Sequence, residues 1–143
     1  MHKFYILGLI FLSLGRVAFA FEFDRVSLII NGVDYSIEVA KTSMQRSQGL
    51  MFRTNLGIRE GMLFVYPRAG NHRIWMKNTL IPLSVIWLDA NQTVIGVKTL
   101  TPCSRDPCPS YGVLDPAKYI IELSSEAHDI KNGDRLEALN QFD

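Results

Sequence analysis

Four neighbouring residues of different chemistry stand close together in the middle of the sequence: Trp75, Lys77, Asn78 and Thr79. In an extended strand Trp75 and Lys77 point to the same side, which places an aromatic ring beside an ammonium group. The amide of Asn78 and the hydroxyl of Thr79 follow where that strand ends. An aromatic surface with a few polar groups suits a sugar or a small anionic molecule, because stacking supplies contact area and hydrogen bonds set orientation.

Two arginines earlier in the chain extend this candidate site. Arg46 and Arg53 carry planar guanidinium groups, which hold a carboxylate or phosphate through two parallel hydrogen bonds. The predicted ligand-binding set is therefore Trp75, Lys77, Asn78, Thr79, Arg53 and Arg46. The alternative is purely structural: Trp75 packs under a loop, Asn78 bonds buried backbone groups, and the cations are solvated.

Three methionines are a second candidate site, for a soft metal ion. Met51, Met62 and Met76 carry thioethers, which are ligands for Cu(I). Met62 and Met76 fall in apolar strands, however, where methionine is ordinary core material. No Met-x-x-Met or Met-x-His pairing brings such ligands together. We therefore expect core packing at these positions, with no metal and no cofactor.

Catalytic patterns are weak in this sequence. It has no Gly-x-Ser-x-Gly elbow, which would present a nucleophilic serine. A carboxylate pair for glycoside hydrolysis is conceivable, and its candidates are Asp89, Asp106, Asp115 and Glu122. Acidic residues in turns and at strand ends are usually solvated, and Asp89 is better interpreted as a turn residue. We therefore expect no catalytic residue.

The two cysteines of the chain, Cys103 and Cys108, lie in a proline-rich segment over residues 101–116. In an exported protein such a pair is interpreted first as a disulfide. A metal site would need two more ligands, and free or redox-active thiols are the remaining alternative. The spacing is not the Cys-x-x-Cys of thiol oxidoreductases.

The first twenty residues have the layout of a secretory signal. A basic start is followed by an apolar run from Phe4 to Leu14, and Ala18 and Ala20 supply the small residues of a cleavage site. Cleavage after Ala20 leaves one domain over residues 21–143, placed in the periplasm or outside the cell. The chain has 15 Lys and Arg against 14 Asp and Glu, so it lacks the positive charge of a nucleic-acid-binding protein. We expect no membrane span in the mature chain.

Strand patterns dominate the rest of the sequence. Asn31–Gly32 separates two strands and is a strong hairpin signal. In the second strand Glu38 is expected on the solvent-exposed face. Runs that are apolar on both faces predict strands covered on both sides. The predicted strands are 25–30, 33–39, 61–66, 72–77, 83–89, 93–100, 118–123 and 134–139.

Two short helices complete the prediction. Thr42 and Gln45 fit a capping box, and Gly49 is placed to end the first helix. The second helix is expected to begin at Ser124 and to end near Lys131. The spacing of the turn signals is typical of a mainly β, compact sandwich or barrel-like single domain.

Several blocks of the sequence, in order, resemble the signatures of a known family, the DUF192 family (domain of unknown function 192). The matching blocks are residues 45–53, 61–67, 75–83, 102–103, 119–123 and 132–136. The resemblance spans roughly residues 34–139. It implies a compact β-sandwich-like domain that is often exported. It implies no established activity and no catalytic residue.

The sequence therefore predicts an exported binding module for a small polar or anionic ligand, with a glycan fragment as one example. An envelope enzyme acting on such a ligand is one alternative, and it requires a titratable pair with perturbed pKa values in the same cleft. A protein-interaction domain is the other, and it requires a large exposed apolar patch.

Overall fold

The computed structural model describes residues 22–126 and 129–143, and the predicted signal peptide, residues 1–20, lies outside them. The described chain is mainly β, as predicted. Its elements in chain order are β1 Asp24–Ile30, β2 Val33–Ala40, α1 Ser43–Gln48, β3 Glu60–Gly70, β4 Ile74–Trp75, β5 Leu83–Leu88, β6 Val94–Leu100, β7 Ser110–Tyr111, β8 Ala117–Ser124 and a 3-10 helix Leu139–Phe142.

Strands β1 and β2 form the predicted hairpin. Both turn residues have a positive φ, 48° at Asn31 and 77° at Gly32. Asn and Gly tolerate this left-handed backbone, and its twist matches that of the paired strands. The register places Arg25 opposite Glu38, which brings opposite charges together on one face of the hairpin.

The main sheet has six strands in the order β1-β2-β3-β8-β5-β6. Strands β2 and β3 pair in parallel, and α1 lies in the connection between them. The other neighbouring pairs in this sheet are antiparallel. Strands β4 and β7 form a separate two-stranded sheet. This arrangement leaves the main sheet with two broad faces, and both are covered.

The C-terminal segment covers one face of the main sheet, which we call the C-terminal face. Alternate residues of the central strands point to this face and pack against the segment. Its core includes Leu63, Ile86, Tyr119, Ile121, Leu136, Leu139 and Phe142.

The small β4–β7 sheet and Leu50, in the loop after α1, cover the opposite face, which we call the site face. The core here includes Leu50, Met62, Phe64, Ile74, Met76, Trp87 and Ile120. Met62 and Met76 are core residues, as expected. Because this cover comes from segments distant in sequence, the strand patterns alone did not reveal it.

Helix α1 follows its predicted boundaries. Thr42 accepts a hydrogen bond from the Gln45 amide at 3.1 Å, and the Gln45 side chain accepts one from the Thr42 amide at 3.0 Å. These reciprocal bonds form the predicted capping box. Gly49 ends the helix with a φ of 47°. A Cβ at that position would lie 3.3 Å from the Phe64 ring, so glycine also allows the helix end to approach β3.

Two predicted elements near the C-terminus are wrong. Residues 134–139 form no strand, and Arg135 makes only an isolated bridge with Thr93. Leu136 and Leu139 instead pack onto the C-terminal face. The expected helix after Ser124 is absent from described residues 124–126 and 129–131, and the other part of that prediction lies outside the described residues. Tertiary packing outweighs local propensity here.

Candidate functional site

Two buried carboxylates lie in one row across the site face. Glu38 on β2 is opposite Met62 on β3, and Met62 is opposite Glu122 on β8. Strands in a sheet are about 4.8 Å apart, so the two glutamates are separated by roughly 10 Å of backbone. Val85 of β5 continues the row beside Glu122. The row places two acidic groups under the cover of the small sheet and the segments around α1.

Glu38 is neutralised by arginine. Arg53 donates Nη1 to Oε1 at 2.9 Å and Nη2 to Oε2 at 2.6 Å, and Arg25 donates to the same carboxylate. Only 6% of Glu38 is exposed, so the expectation that it lies on a solvent-exposed face is wrong. A buried carboxylate with paired guanidinium donors is a structural ion pair.

Glu122 has a different environment. Only 4% of the residue is exposed, which overturns the expectation of a solvated acid. Within the described residues its carboxyl makes neither a hydrogen bond nor an ion pair. Burial raises the pKa of Glu122 to about 8, because the charged form loses its hydration. The carboxyl is therefore mostly protonated at neutral pH.

The Glu122 carboxyl lines a small cavity on the site face. The cavity has a volume of about 30 Å³, and a water molecule needs at least roughly 10–15 Å³ measured in this way. There is room for one or two water-sized groups. The lining residues are Arg46, Ser47, Gln48, Gly49, Leu50, Met51, Phe64, Ile74, Trp75, Thr79 and Glu122.

The end of α1 forms one wall of this cavity. A helix leaves its last carbonyl groups without helical partners. The Gln45 carbonyl accepts from the Gly49 amide at 2.9 Å, and the Gln48 carbonyl accepts from the Met51 amide at 3.1 Å. No backbone amide in the described residues donates to the carbonyls of Arg46 or Ser47. This wall therefore offers hydrogen-bond acceptors.

The Arg46 guanidinium is held away from Glu122. It donates to the backbone carbonyls of Lys41 and Val65, the latter at 3.0 Å, and it lies 4.7 Å from the centre of the Tyr66 ring. Tyr66 stacks on His72 with ring centres 3.6 Å apart. Burial raises the pKa of Tyr66, Arg46 lowers it, and Glu122 raises it further.

Two strained residues meet beside the cavity. Phe52 and Asn78 have φ values of 63° and 55°, in the left-handed region. The Phe52 backbone N–H donates to the Asn78 backbone carbonyl at 2.7 Å, and the side-chain Nδ2 of Asn78 lies 4.0 Å from the Met51 sulfur. A left-handed phenylalanine is unusual and costs free energy, and such strain is concentrated at functional sites. This contact joins the loop after α1 to the segment after β4.

The disulfide loop braces Trp75 from the other side. Cys103 and Cys108 form the predicted disulfide, with Cα atoms 5.8 Å apart. Further along the same loop, β7 places Ser110 opposite Trp75. Arg73 donates to the hydroxyl and carbonyl of Ser110 at 2.9 and 2.6 Å. The loop therefore positions the strand that carries the indole.

The structure brings three of the six predicted site residues to the cavity and leaves three outside its lining. Arg46, Trp75 and Thr79 line it, and Trp75 remains 48% exposed. The remaining three have other contacts. Arg53 binds Glu38, Lys77 lies 3.7 Å from Asp106 and 5.6 Å from the centre of the Trp75 ring, and Asn78 contacts Met51 and Phe52.

Sequence reasoning missed Glu122 as a member of this site. One signal was present: in β8 Glu122 shares a face with Ile120, an apolar residue. A face that carries isoleucine two residues before a glutamate is covered, so the glutamate is buried with it. What covers that face comes from α1 and β4, which a strand pattern does not show.

No group of three or more His, Cys, Asp or Glu side chains in residues 22–126 and 129–143 is placed to hold a metal ion. In the same ranges, no helix has the length and apolar character to cross a membrane.

The six-stranded mixed sheet and the small second sheet make the described chain a mainly β single domain. The DUF192 family model, described as an uncharacterized ACR, matches residues 26–138. The chain belongs to the DUF192 family. No curated protein matches it.

Two solved structures are similar over most of the chain. One is a proposed transcription regulator from Sinorhizobium meliloti 1021, with 29% identity and a TM-score of 0.72, covering 82% of this chain and 96% of that one. The other is a protein of unknown function from Novosphingobium aromaticivorans DSM 12444. It has 28% identity and a TM-score of 0.68, covering 81% of this chain and 85% of that one.

Proposed function

We propose that this protein is an exported binding module for a small polar ligand, one group of which enters the Glu122 cavity. The observation that carries the proposal is the buried Glu122, whose carboxyl has no partner among residues 22–126 and 129–143, on a cavity that Trp75 and Thr79 also line. A buried polar group without a partner costs about 1–3 kcal/mol. Ligand binding gives that group a partner.

The geometry favours a polar ligand over an anionic one. An anion needs a cation that is free to pair with it, and the three predicted cations have partners. Arg53 binds Glu38, Arg46 binds backbone carbonyls, and Lys77 lies beside Asp106. The group left open is an acid, which repels an anion whenever it is ionised.

The size of the cavity limits what enters it. A volume of about 30 Å³ accepts one small group, whereas a whole drug-sized ligand needs roughly 300 Å³ or more. The rest of the ligand would lie on the exposed apolar side chains nearby in sequence and structure, Phe52, Trp75 and Leu80. The same side chains would serve a partner protein, which is the alternative if no small molecule binds.

Export remains part of the proposal. The Cys103–Cys108 disulfide supports an oxidising compartment, and the first twenty residues have the pattern of a signal peptide. The nearly balanced charge of the chain argues against nucleic acid as the partner.

A screen of small polar molecules by two-dimensional NMR tests the proposal. We expect hits that shift the Gly49 and Thr79 amides and the Trp75 indole N–H, and that weaken at least tenfold in Trp75→Ala. The matched control is Leu114→Ala, because Leu114 is fully exposed and lies outside the cavity lining. Hits that map elsewhere, or that are unaffected in Trp75→Ala, contradict the proposal.

An envelope enzyme acting on the same ligand is a second candidate, and one observation favours it. Burial raises the pKa of Glu122 to about 8, so the carboxyl holds a proton at neutral pH, as a general acid must. Among the described lining residues it is the sole carboxyl, and Tyr66 does not line the cavity. The titratable pair that an enzyme would require is thus not present among the described residues that line this cavity. Turnover of a screening hit, lost in Glu122→Gln, would favour the enzyme.

A further inference from the structure

Several polar groups of the Glu122 cavity lining are acceptors, and they stand beside the donors of Ser47, Gln48 and the Trp75 indole. Glu122 contributes carboxyl oxygens, and the end of α1 contributes the carbonyls of Arg46 and Ser47 on the lining residues. The Thr79 hydroxyl donates to the Lys77 carbonyl at 3.4 Å, so its remaining capacity is to accept. A ligand group that pairs with Glu122 and these carbonyls donates several hydrogen bonds.

The charge of the lining points the same way. The Arg46 guanidinium is the one cation among the described lining residues, and it donates to the Lys41 and Val65 carbonyls. It makes no ion pair with Glu122 in the described chain. A carboxylate formed in this cavity therefore lacks a protein counter-ion, and a cationic ligand group would supply it.

We infer that the cavity takes the ammonium group of a protonated primary amine, with the Glu122 carboxylate as counter-ion and the alkyl stem lying against Trp75. This inference rests on the proposed function, since it names the ligand class of the same site. An ammonium carries three donors and no acceptor. It is also the size of a water molecule, and an exposed indole attracts both alkyl groups and cations.

Binding by this mechanism is linked to protonation. Glu122 must lose its proton to pair with an ammonium, so affinity rises as pH rises toward its pKa of about 8. The charged or titratable groups that share the site face with Glu122 include Arg46 on α1, Glu38 on β2, Glu60 and Tyr66 on β3, and Lys98 on β6. Arg53 and Lys77 lie in the loops that follow α1 and β4. A free Glu122 pKa near 8 predicts an increase in affinity of about 50-fold between pH 6 and pH 8.

The test titrates the purified protein with three probes that share an n-butyl stem: n-butylammonium, n-butanol and pentanoate. At pH 8 we expect n-butylammonium to shift the Gly49 and Thr79 amides and to bind at least tenfold more tightly than n-butanol, with no shift from pentanoate. Glu122→Gln should abolish the preference for ammonium. The matched control is Glu137→Gln, which removes the same charge from an exposed position.

Two further arms complete the test. Trp75→Ala alters an exposed side chain, so it is expected to fold, and it should weaken n-butylammonium several-fold if the stem lies on the indole. Nα-acetyl-lysine N-methylamide distinguishes the two sources of the amine. Tighter binding than n-butylammonium assigns the site to lysine side chains of peptides, and weaker binding assigns it to free amines.

The outcomes separate this inference from the proposed function. If n-butanol binds as tightly as n-butylammonium, or if folded Glu122→Gln keeps the ammonium preference, the amine inference is overturned while polar-ligand binding stands. If no probe shifts the cavity residues, and the small-molecule screen finds no hit there either, both fail.

Discussion

Glu38 and Glu122 lie on the same face of the same sheet and are both buried, yet only one of them is neutralised. Glu38 has the paired donors of Arg53 and a further bond from Arg25. Glu122 has no ion pair or side-chain hydrogen bond in the described chain, and it lines a cavity. The first arrangement joins β1, β2 and the loop after α1. Among the described residues, the second joins no elements through its carboxyl and leaves an acid open to an occupant.

Glu38 is a structural carboxylate, whereas Glu122 is a candidate functional group. A buried charge with complete partners contributes to a unique fold. A buried acid without partners reduces stability, and a strongly perturbed pKa in a cavity is a known sign of a functional site. The strained Phe52–Asn78 contact beside the same cavity is a second local cost. The buried acid and the strained backbone both lie at the cavity that Glu122 lines.

The largest expected effect is the pH dependence that Glu122 imposes on stability. Its pKa is about 8 when folded and near 4.5 when unfolded, so the folded protein binds an extra proton between these values. Stability from this group is therefore fully present below about pH 4.5 and is lost as pH rises through 8. Between pH 5 and pH 8, Glu122→Gln should gain roughly 3 to 4 kcal/mol relative to wild type.

Urea unfolding of both proteins at several pH values measures this difference. Glu137→Gln is the matched control, because Glu137 is exposed, and it should track wild type at each pH. A constant difference between Glu122→Gln and wild type across pH 5–8 would show that Glu122 has a partner when folded, and the contrast with Glu38 would disappear.

The next largest effect concerns the other carboxylate. Arg53→Met should destabilise the protein by about 2 to 3 kcal/mol, because Glu38 stays buried and keeps only Arg25. The midpoint of urea unfolding at pH 7 reports the change. Arg59→Met serves as the control, since Arg59 is exposed, and it should change stability by less than about 0.5 kcal/mol. Equal effects from both variants would argue against a structural ion pair at Glu38.

The third prediction concerns the disulfide, which supports one side of the cavity and can be removed while both glutamates stay unchanged. Cys103→Ser with Cys108→Ser removes a constraint that stabilises by about 2 kcal/mol in the chain-entropy model. The loop also carries β7, which pairs with Trp75. We therefore expect lower stability together with an altered NMR signal of the Trp75 indole N–H.

The control for the disulfide variant is Ser104→Ala, which lies in the same loop and keeps the bond. It should leave both the unfolding midpoint and the indole signal unchanged. A disulfide-free protein with wild-type indole signal would mean that β7 holds Trp75 independently of the bond.

Local features of the fold were predictable from the sequence, because each depends on neighbouring residues. The Asn31–Gly32 turn and the capping box of Thr42 and Gln45 are set by backbone preferences over a few residues. Asp89 also caps its turn as interpreted, accepting from the Asn91 amide at 2.9 Å. The C-terminal region was not predictable in this way, because residues 134–139 are placed by packing onto a distant sheet.

The site was predictable in part for the same reason. The residue types and spacing at positions 75–79 predicted Trp75 and Thr79 as site residues, and both line the cavity. The partners of Arg53 and Lys77 depend on which distant segments meet, and those segments supply Glu38 and Asp106. Glu122 was assigned to solvent because a strand pattern shows which residues share a face but not what covers that face. The segments that pack over the sheet therefore decide which polar side chains have protein partners and which can bind a ligand.

The smallest expected effect is also the one that separates the two ligand classes. Lys77 was predicted to attract an anion. Its ammonium lies 5.6 Å from the centre of the Trp75 ring, and Trp75 lines the cavity. Its pair with Asp106 is exposed and 3.7 Å long, so Lys77→Ala should change stability by less than about 0.5 kcal/mol. Its effect on binding should have a definite sign. Removing a positive charge near the cavity strengthens n-butylammonium binding, by about twofold at low salt, whereas an anion-binding site would weaken for its ligand.

Calorimetric titration at low and high salt measures that sign, and Lys131→Ala removes the same charge from an exposed residue outside the cavity lining. Because surface charges are screened by salt, the strengthening should vanish at high ionic strength while the Glu122 contribution persists. If Lys77→Ala instead weakens n-butylammonium, the lysine contacts the ligand or its stem directly. Lys77 would then be a ligand-binding residue like Glu122, and both sides of the Trp75 ring would take part in binding.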